Sequence, residues 1–363
     1  MRKIFCLFLI LAVAASAFSQ SISITGQRPT STNGTVDNYL RDAYNELENE
    51  LRNMIGSINA APHGLIKAFG NAAVYASHGA TQRAYGGYKN FAVTLGPTFG
   101  FQLPVSPFEV MDYISGDPLE GLYNKGDITF GLNPQIINAQ IGFNSSFLLK
   151  GLYLGLRVGY VPEALGDIMA GLVGGGLGGL DLSFSNLLVG VTANYQLVQS
   201  VDIIKGLITW RGVNVGTGFI FQNTNLKIAY PFDPITANEG TVSLKIDPSL
   251  FFGMNITTYT IPLEITTAIK LIFLNIPIGV GVDFAFGSSK IDIGMRSDIT
   301  VEGAAGTGYL KAVAGGNEGP TFANFKLMTG IGLSIGPVII DIPITWYFLD
   351  NGLSIGVTLG MTW

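Results

Sequence analysis

The sequence predicts an all-β chain: an antiparallel transmembrane β-barrel of twelve to fourteen strands with an N-terminal helical plug or periplasmic segment. Three observations carry this reading. From residue 91 onward, segments of roughly ten to thirteen residues alternate apolar with small or polar side chains, the length of a tilted membrane strand. Charged residues make up 12% of the chain, where a typical globular protein has about 25%. Gly supplies 48 of 363 residues, yet past the N-terminal leader no apolar run reaches the roughly 18 residues that a membrane-spanning helix needs.

The leader comes first. Arg2 and Lys3 precede an apolar run from Ile4 to Ala14, and Ala15-Ser16-Ala17 offers the small residues of a cleavage site. Residues 1–20 therefore read as a secretory signal cut near 17–20. Cys6, the single cysteine, lies inside it, so the mature chain is expected to form no disulfide and to do no thiol chemistry.

Residues 21–90 form the helical segment. Val36, Leu40, Ala43, Tyr44, Leu47, Leu51, Met54, Ile55 and Ile58 recur at spacings of three and four, with Asp, Glu, Arg and Asn between them. That is an amphipathic helix, and Thr35 can cap it. A second, shorter helix is expected near 65–77. The long helix fits either a place against the barrel base or one inside the lumen.

Residues 91–363 form the barrel. The clearest strands cover 91–102, 135–144, 152–161, 187–198, 208–221, 241–253, 261–273, 276–287, 290–301, 322–335, 338–349 and 353–363, with 225–230 as part of a further hairpin. Long connections at 104–125, 162–185, 222–240 and 302–320 alternate with shorter ones, the tightest at Gly336-Pro337. Parity sorts each strand. Leu152, Leu154, Leu156, Val158 and Tyr160 oppose Tyr153, Gly155, Arg157 and Gly159, and Ile340, Ile342, Ile344, Trp346 and Phe348 oppose Asp341, Thr345 and Tyr347. Successive side chains of a strand point to opposite faces, so charges collect on one side. A basic residue at the midplane of a lipid-facing wall costs about 2–4 kcal/mol, and that cost assigns the polar side to the lumen. Aromatic residues near strand ends, among them Tyr160, Tyr195, Trp210, Phe273, Trp346 and Trp363, suit interfacial girdles.

The lumen then carries Gly, Ser, Thr and Asn with three cations, Arg157, Lys270 and Lys326, against Glu264, Asp283 and Asp341. Its many glycines either leave room for the N-terminal helix or serve tight strand curvature. His63 and His78, the only histidines, have no metal-ligand spacing around them; no metal and no cofactor is expected. The glycine-rich run 171–180 lacks the Lys-Ser/Thr of a phosphate loop, and no Ser/His/Asp set can be assembled, so an enzyme is not expected. The net charge of −5 is mild and argues against nucleic acid.

The C-terminal segment from Leu353 to Trp363, ending on an aromatic, resembles the last strand of bacterial outer-membrane barrels, in which the terminal aromatic is part of the assembly signal. Gln82-Arg83-Ala84-Tyr85-Gly86-Gly87 is similar to a segment in the hatch of the FadL-type family, and Asn71-Ala72-Ala73 is similar to its Asn-Pro-Ala motif, without the proline and ahead of the other run. The resemblance implies passive uptake of hydrophobic compounds such as long-chain fatty acids across the bacterial outer membrane. It implies as partners the membrane lipid, the barrel-assembly machinery acting through Trp363, and a hydrophobic small molecule. A carboxylate head group would want a cation, for which Arg157, Lys270 and Lys326 are the lumen candidates. Two other functions fit the same composition: a diffusion porin for small polar solutes, and a surface-exposed structural or adhesive barrel.

Overall fold

The computed structural model describes residues 21–31, 34–57, 63–77, 90–104, 130–163, 181–239, 242–302 and 306–363. The leader with Cys6, His78, the run 82–87 and the glycine-rich run 171–180 lie outside the described residues, so the readings made of them have no structural counterpart here. The helices are α1 (Gly34–Ser57) and α2 (His63–Ala76). The strands are β1 (Ser21–Gln27), β2 (Phe91–Gln102), β3 (Gly131–Asn144), β4 (Leu152–Val161), β5 (Asp181–Val198), β6 (Val201–Ile204), β7 (Ile208–Pro231) and β8 (Ile235–Glu239). They continue with β9 (Val242–Leu271), β10 (Leu274–Glu302), β11 (Gly306–Glu318), β12 (Ala323–Ile335), β13 (Val338–Tyr347), β14 (Gly352–Gly356) and β15 (Thr358–Thr362).

The alternation folds as a closed, antiparallel ring. Its wall runs β2–β3–β4–β5–β7–β9–β10–β12–β13–β14/β15 and back to β2. β14 and β15 are one wall strand interrupted at Val357, whose amide donates to Pro97 O at 3.1 Å. The last residue completes the seal: the amides and carbonyls of Phe91 and Trp363 exchange hydrogen bonds of 2.9 and 3.0 Å, with their rings 4.8 Å apart. Lipid offers no hydrogen bonds, so a sheet crosses a membrane only when its edges meet.

Side chains sort as parity requires, inside out relative to a water-soluble sheet. Leu156, Val158, Ile265, Ile278, Val280 and Ile342 are exposed on the outer surface, while Thr94, Asn138, Arg157, Asp283, Asn324 and Lys326 are buried inward. Aromatics stand at both rims. Tyr195, Trp210, Phe273 and Trp363 lie towards the end with the short turns; Tyr160, Trp346 and the stacked pair Tyr259–Phe286, 5.4 Å apart, lie towards the other.

The class is the expected one, but the wall closes with ten strands among the described residues, not twelve to fourteen. The segments 241–253 and 261–273 are the two halves of the 30-residue β9, and 276–287 and 290–301 are those of the 29-residue β10. Each half looks like a separate strand because the polarity of its faces inverts midway. On β9 the inward residues are Phe252, Met254 and Ile256 above, but Thr258, Thr260 and Thr266 below. The outward face does the opposite, running from Lys245 and Asp247 to Leu263, Ile265 and Ile269.

The upper halves leave the wall and form a hood. β10 pairs with β12 only from Leu274 to Phe284, then takes β11 from Ser289 to Val301. Gly287, at φ 145°, sits at this change of neighbour, where an added Cβ would lie 2.0 Å from Thr257 O. The connection 302–320, expected as loop, thus holds β11, and β1 zips along its far edge from Ser21↔Gly315 to Gln27↔Tyr309. The long helix is in neither expected place. α1 lies on the inner face of the hood, packing Val36, Leu40, Ala43, Tyr44 and Leu47 against Leu244, Ile246, Ile299 and Val301. Truncating Leu40, 1% exposed, to Ala would cost about 2–5 kcal/mol.

Asp37 clamps the β1–α1 connection. Its carboxylate accepts from the Ser31 amide at 3.2 Å and pairs with Arg28 at 3.1 Å. The backbone hydrogen bond from Ser31 is the largest cause that holds its pKa below the ordinary carboxylate value; burial opposes it, and the hydrogen bond and charge of Arg28 add to the lowering. A depressed folded pKa means that the clamp is intact above the unfolded value, near 4, and is lost as pH falls through the lower folded one. Limited proteolysis between residues 28 and 37 is therefore expected to accelerate only below about pH 4, and Asp37→Asn should show the fast rate already at neutral pH.

Candidate functional site

α2 occupies the lumen at the hood end, and the wall is cut to receive it. Ala68, Ala72, Ala73, Val74, Tyr75 and Ala76 are all at 0% exposure. A Cβ on Gly100 would lie 2.1 Å from Ala72 O and 2.5 Å from Ala76 N; one on Gly131 would lie 2.1 Å from Ala68 O, and one on Gly352 2.3 Å from the Tyr75 ring. Three wall strands thus give up their side chains where the helix passes. Of the two reasons for inward glycines, room for a helix holds at these three positions.

Polar contacts pin the helix. Asn71, fully buried, donates through Nδ2 to Gln102 Oε1 at 2.8 Å, Thr321 Oγ1 at 3.1 Å and Asp350 Oδ2 at 3.2 Å, and its Oδ1 accepts from the Thr321 amide at 2.7 Å. Thr321 Oγ1 in turn donates to Asp350 Oδ2 at 2.5 Å. One carboxamide so joins the plug to β2, to the segment before β12 and to the β13–β14 turn. Lower down, Tyr75 stacks on Tyr347 with ring centroids 3.9 Å apart and donates to Asn324 Oδ1 at 3.3 Å. At the helix end Arg157 donates to Ser77 O at 3.2 Å, a cation at the negative end of the helix dipole.

The structure separates the three candidate cations. Arg157 faces the lumen from β4 against α2. Lys326 is fully buried on β12, 2.7 Å from Asp283 on β10 and 2.5 Å from Glu264 on β9. This group ties three adjacent strands just below the level at which β10 changes neighbour, and removing one partner of such a buried set costs about 3–5 kcal/mol. Lys270 sits half-buried near the opposite rim, one residue before the end of β9. Asp341 faces the lumen from β13.

Sequence reasoning did not single out the pinning residues Asn71, Gln102, Thr321 and Asp350 as a site. The available signal was Asn71 itself, a polar residue inside the run Gly70-Asn71-Ala72-Ala73-Val74-Tyr75-Ala76. A collar of carboxamides and a hydroxyl was also missed. Gln222 Nε2 donates to Asn133 Oδ1 at 2.8 Å, and Asn133 and Asn186 both donate to Thr224 Oγ1, at 3.1 and 2.7 Å. This network links β3, β5 and β7 and narrows the lumen with groups that are polar but uncharged.

Together these features define a β-barrel whose lumen holds a helix of its own chain. The chain belongs to the Lsa36-like family, whose model matches residues 17–363. No curated protein matches the sequence. Among solved structures, the translocator domain of autotransporter NalP from Neisseria meningitidis is similar over 76% of this chain and 89% of that one, at 7% identity and a TM-score of 0.28. A Pseudomonas aeruginosa FadL homologue matches over 81% and 95%, at 9% identity and a TM-score of 0.23. The Pseudomonas putida toluene transporter TodX matches over 82% and 96%, at 7% and 0.23. At these scores the likeness goes no further than a shared barrel architecture.

If the wall glycines seat the plug, filling one must unseat it. Gly100→Val is expected to raise single-channel conductance in planar bilayers well above wild type. Gly253→Ala in the hood, where the added Cβ meets nothing nearer than 3.8 Å, should leave it unchanged. Equal conductance for Gly100→Val and wild type would show that α2 is not what closes the lumen.

Proposed function

We propose that this protein resides in the bacterial outer membrane and mediates passive uptake of hydrophobic compounds, long-chain fatty acids being the reference case, with α2 as its resident plug. The observation that carries the reading is the apolar packing that helices and hood share over the mouth. The hood's inner face brings Phe252, Met254, Ile256, Ile291, Ile293 and Leu310 together with Leu65, Ile66 and Phe69 of α2, and α1 covers a second apolar seam beside it. An apolar solute that parts this packing would find an apolar surface, and gains about 25 cal/mol for each Å² of its own that it removes from water. Directly below, it meets a helix and a carboxamide collar in place of an open eyelet.

A diffusion porin fits less well, because its eyelet must stay open to solutes that have no affinity for it. In the proposed orientation the short turns and Trp363 face the periplasm and the hood faces outward, the usual asymmetry of such barrels. The strand ending in Trp363 is then what the assembly machinery engages, since its pairing with Phe91 completes the ring. Arg157, at the lower end of the plug, is the cation placed to meet a carboxylate head group once α2 moves; Lys326 and Lys270 belong to the same proposal with the wall and the inner rim as their places.

The purified full-length chain in lipid nanodiscs is expected to bind a fluorescent long-chain fatty acid that unlabelled fatty acid displaces, and to give no sugar-driven swelling when reconstituted into liposomes. Sugar flux through the intact protein at porin rates, or no fatty-acid binding at all, would overturn the proposal.

A further inference from the structure

At the end with the short turns, the hairpin tips carry side chains that turns seldom carry. The β3–β4 turn reads Ser145-Ser146-Phe147-Leu148-Leu149-Lys150-Gly151, with Phe147 79% exposed and Leu148 and Leu149 more than half exposed. The β6–β7 hairpin presents Val201, Ile203 and Leu207 around Lys205, and the β9–β10 turn is Ile272-Phe273, also more than half exposed. These tips make one continuous arc. The Gln196 amide donates to Gly151 O at 2.9 Å, the Ile272 amide to Leu207 O at 2.8 Å and the Ser334 amide to Phe273 O at 2.8 Å. Each tip is thus tied by its backbone to the next element of the ring.

At Ile272 the chain keeps an apolar side chain where backbone geometry favours another residue. Ile272 has φ 54° in a two-residue turn between the paired Leu271 and Leu274. Gly or Asn usually takes such a place in a tight hairpin, because a β-branched side chain is strained in the left-handed region. Facing water, Ile272 and Phe273 would gain nothing from that strain; set against hydrocarbon, they gain burial. Charge points the same way. On the hood's outer face cations stand beside carboxylates, in Lys245–Asp247, Lys290–Asp292 and Arg296–Asp298 at 2.8 to 3.0 Å. Among the described residues Lys150 and Lys205 have no such partner. The one carboxylate in these turns, Asp202, accepts from the Thr209 hydroxyl at 2.7 Å.

We infer that this arc is a seat for anionic phospholipid: its apolar tips sink among the acyl chains beside the wall, and Lys150 and Lys205 meet the phosphates of the head groups. The arc continues the lipid-facing wall without a charged break. Leu263, Ile265, Ile269 and Leu271 lead down the outer face of β9 to Phe273, with only Thr267 between them. A cation set beside exposed leucine, isoleucine and phenylalanine is the composition of surfaces that bind acidic lipid. The inference deepens the outer-membrane reading proposed above, whose orientation makes this the periplasmic leaflet, and it is independent of the solute carried. Trp210 marks the seat. It pairs with Val201 of β6, and its Nε1 donates to Thr267 Oγ1 on the outer face of β9 at 2.8 Å.

Single-tryptophan fluorescence tests this, because bromine on an acyl chain quenches only a tryptophan in contact with that lipid. The chain has three tryptophans. Trp346→Phe with Trp363→Phe leaves Trp210 at the arc, and Trp210→Phe with Trp363→Phe leaves Trp346 at the opposite rim as the control. The full chain is refolded into phosphatidylcholine bilayers holding brominated phosphatidylglycerol or brominated phosphatidylcholine at equal mole fraction, and heat-modifiable gel mobility confirms folding. The inference predicts that phosphatidylglycerol is preferred at Trp210 by about fivefold in relative association, the effect of about one lysine near an anionic surface, and is not preferred at Trp346. Lys150→Gln with Lys205→Gln, in the chain that keeps Trp210, should abolish the preference and leave quenching by brominated phosphatidylcholine in place. Equal quenching by the two lipids at Trp210, the same preference at Trp346, a preference that survives loss of both lysines, or no quenching by either lipid at Trp210 would each overturn the inference. The predicted preference in a protein that binds no fatty acid would keep the seat and remove only the uptake proposal.

Discussion

Everything in this molecule follows from the need to pair every backbone amide and carbonyl of the wall where lipid supplies no partner. The ring meets it by closing: β14 and β15 pair with β2 from Gly352↔Gln102 to Thr362↔Ala92, and the two hydrogen bonds between Phe91 and Trp363 end the seam. Closure then dictates side-chain placement. With the outer face in hydrocarbon, charges have one place to go, and Arg157, Asp283, Lys326 and Asp341 all point inward. Buried there, they are matched to other groups, as in Lys326 with Asp283 and Glu264 or Arg157 with Ser77 at the end of α2.

A second consequence is the inversion of polarity along β9 and β10. The same strand faces lipid and lumen below, then water and an apolar core above. Ile256 to Thr258 on β9 and Gly287 to Ser289 on β10 mark where one solvent regime gives way to the other. Because the inner hood face is apolar, it needs cover, and α1 with the N-terminal half of α2 supplies it. The helices are thus neither appended to the barrel nor simply stuffed into it: one roofs the hood and the other fills the throat beneath.

Much of the wall was legible in the sequence. Strict alternation over 91–102, 152–161 and 338–349 placed β2, β4 and β13 within a residue or two, and parity named their inner faces. What misled was the assumption that a strand keeps one polarity per face. Residues 254–260 of β9 contain no Gly, Pro or Asp that would turn the chain, and that absence was the signal that two segments were one. β11 escaped notice because Gly306, Gly308, Gly315 and Gly316 make it read as loop; Gly316 is small because Ile66 of α2 packs on it, at 2.5 Å from an added Cβ. Of the site, the lumen cations were legible as inward charges and Glu264 and Asp283 as inward carboxylates, but not which cation they meet, because the strands that carry them are far apart in sequence. Asn71 and Asp350 are 279 residues apart, and no local pattern announces such a contact.

The account's central claim, a single ring whose longest strands pass from lipid into water, is tested most directly by spin labels placed one at a time along β9 from residue 244 to 270 in the reconstituted full chain. The ring predicts that labels on Leu263, Ile265 and Ile269 collide with oxygen dissolved in the bilayer, and that labels on Lys245, Asp247 and Ser249, which share their parity, collide instead with a water-soluble nickel complex, with the changeover between Asn255 and Tyr259. One unchanging pattern along the whole of β9, with no changeover, would contradict it.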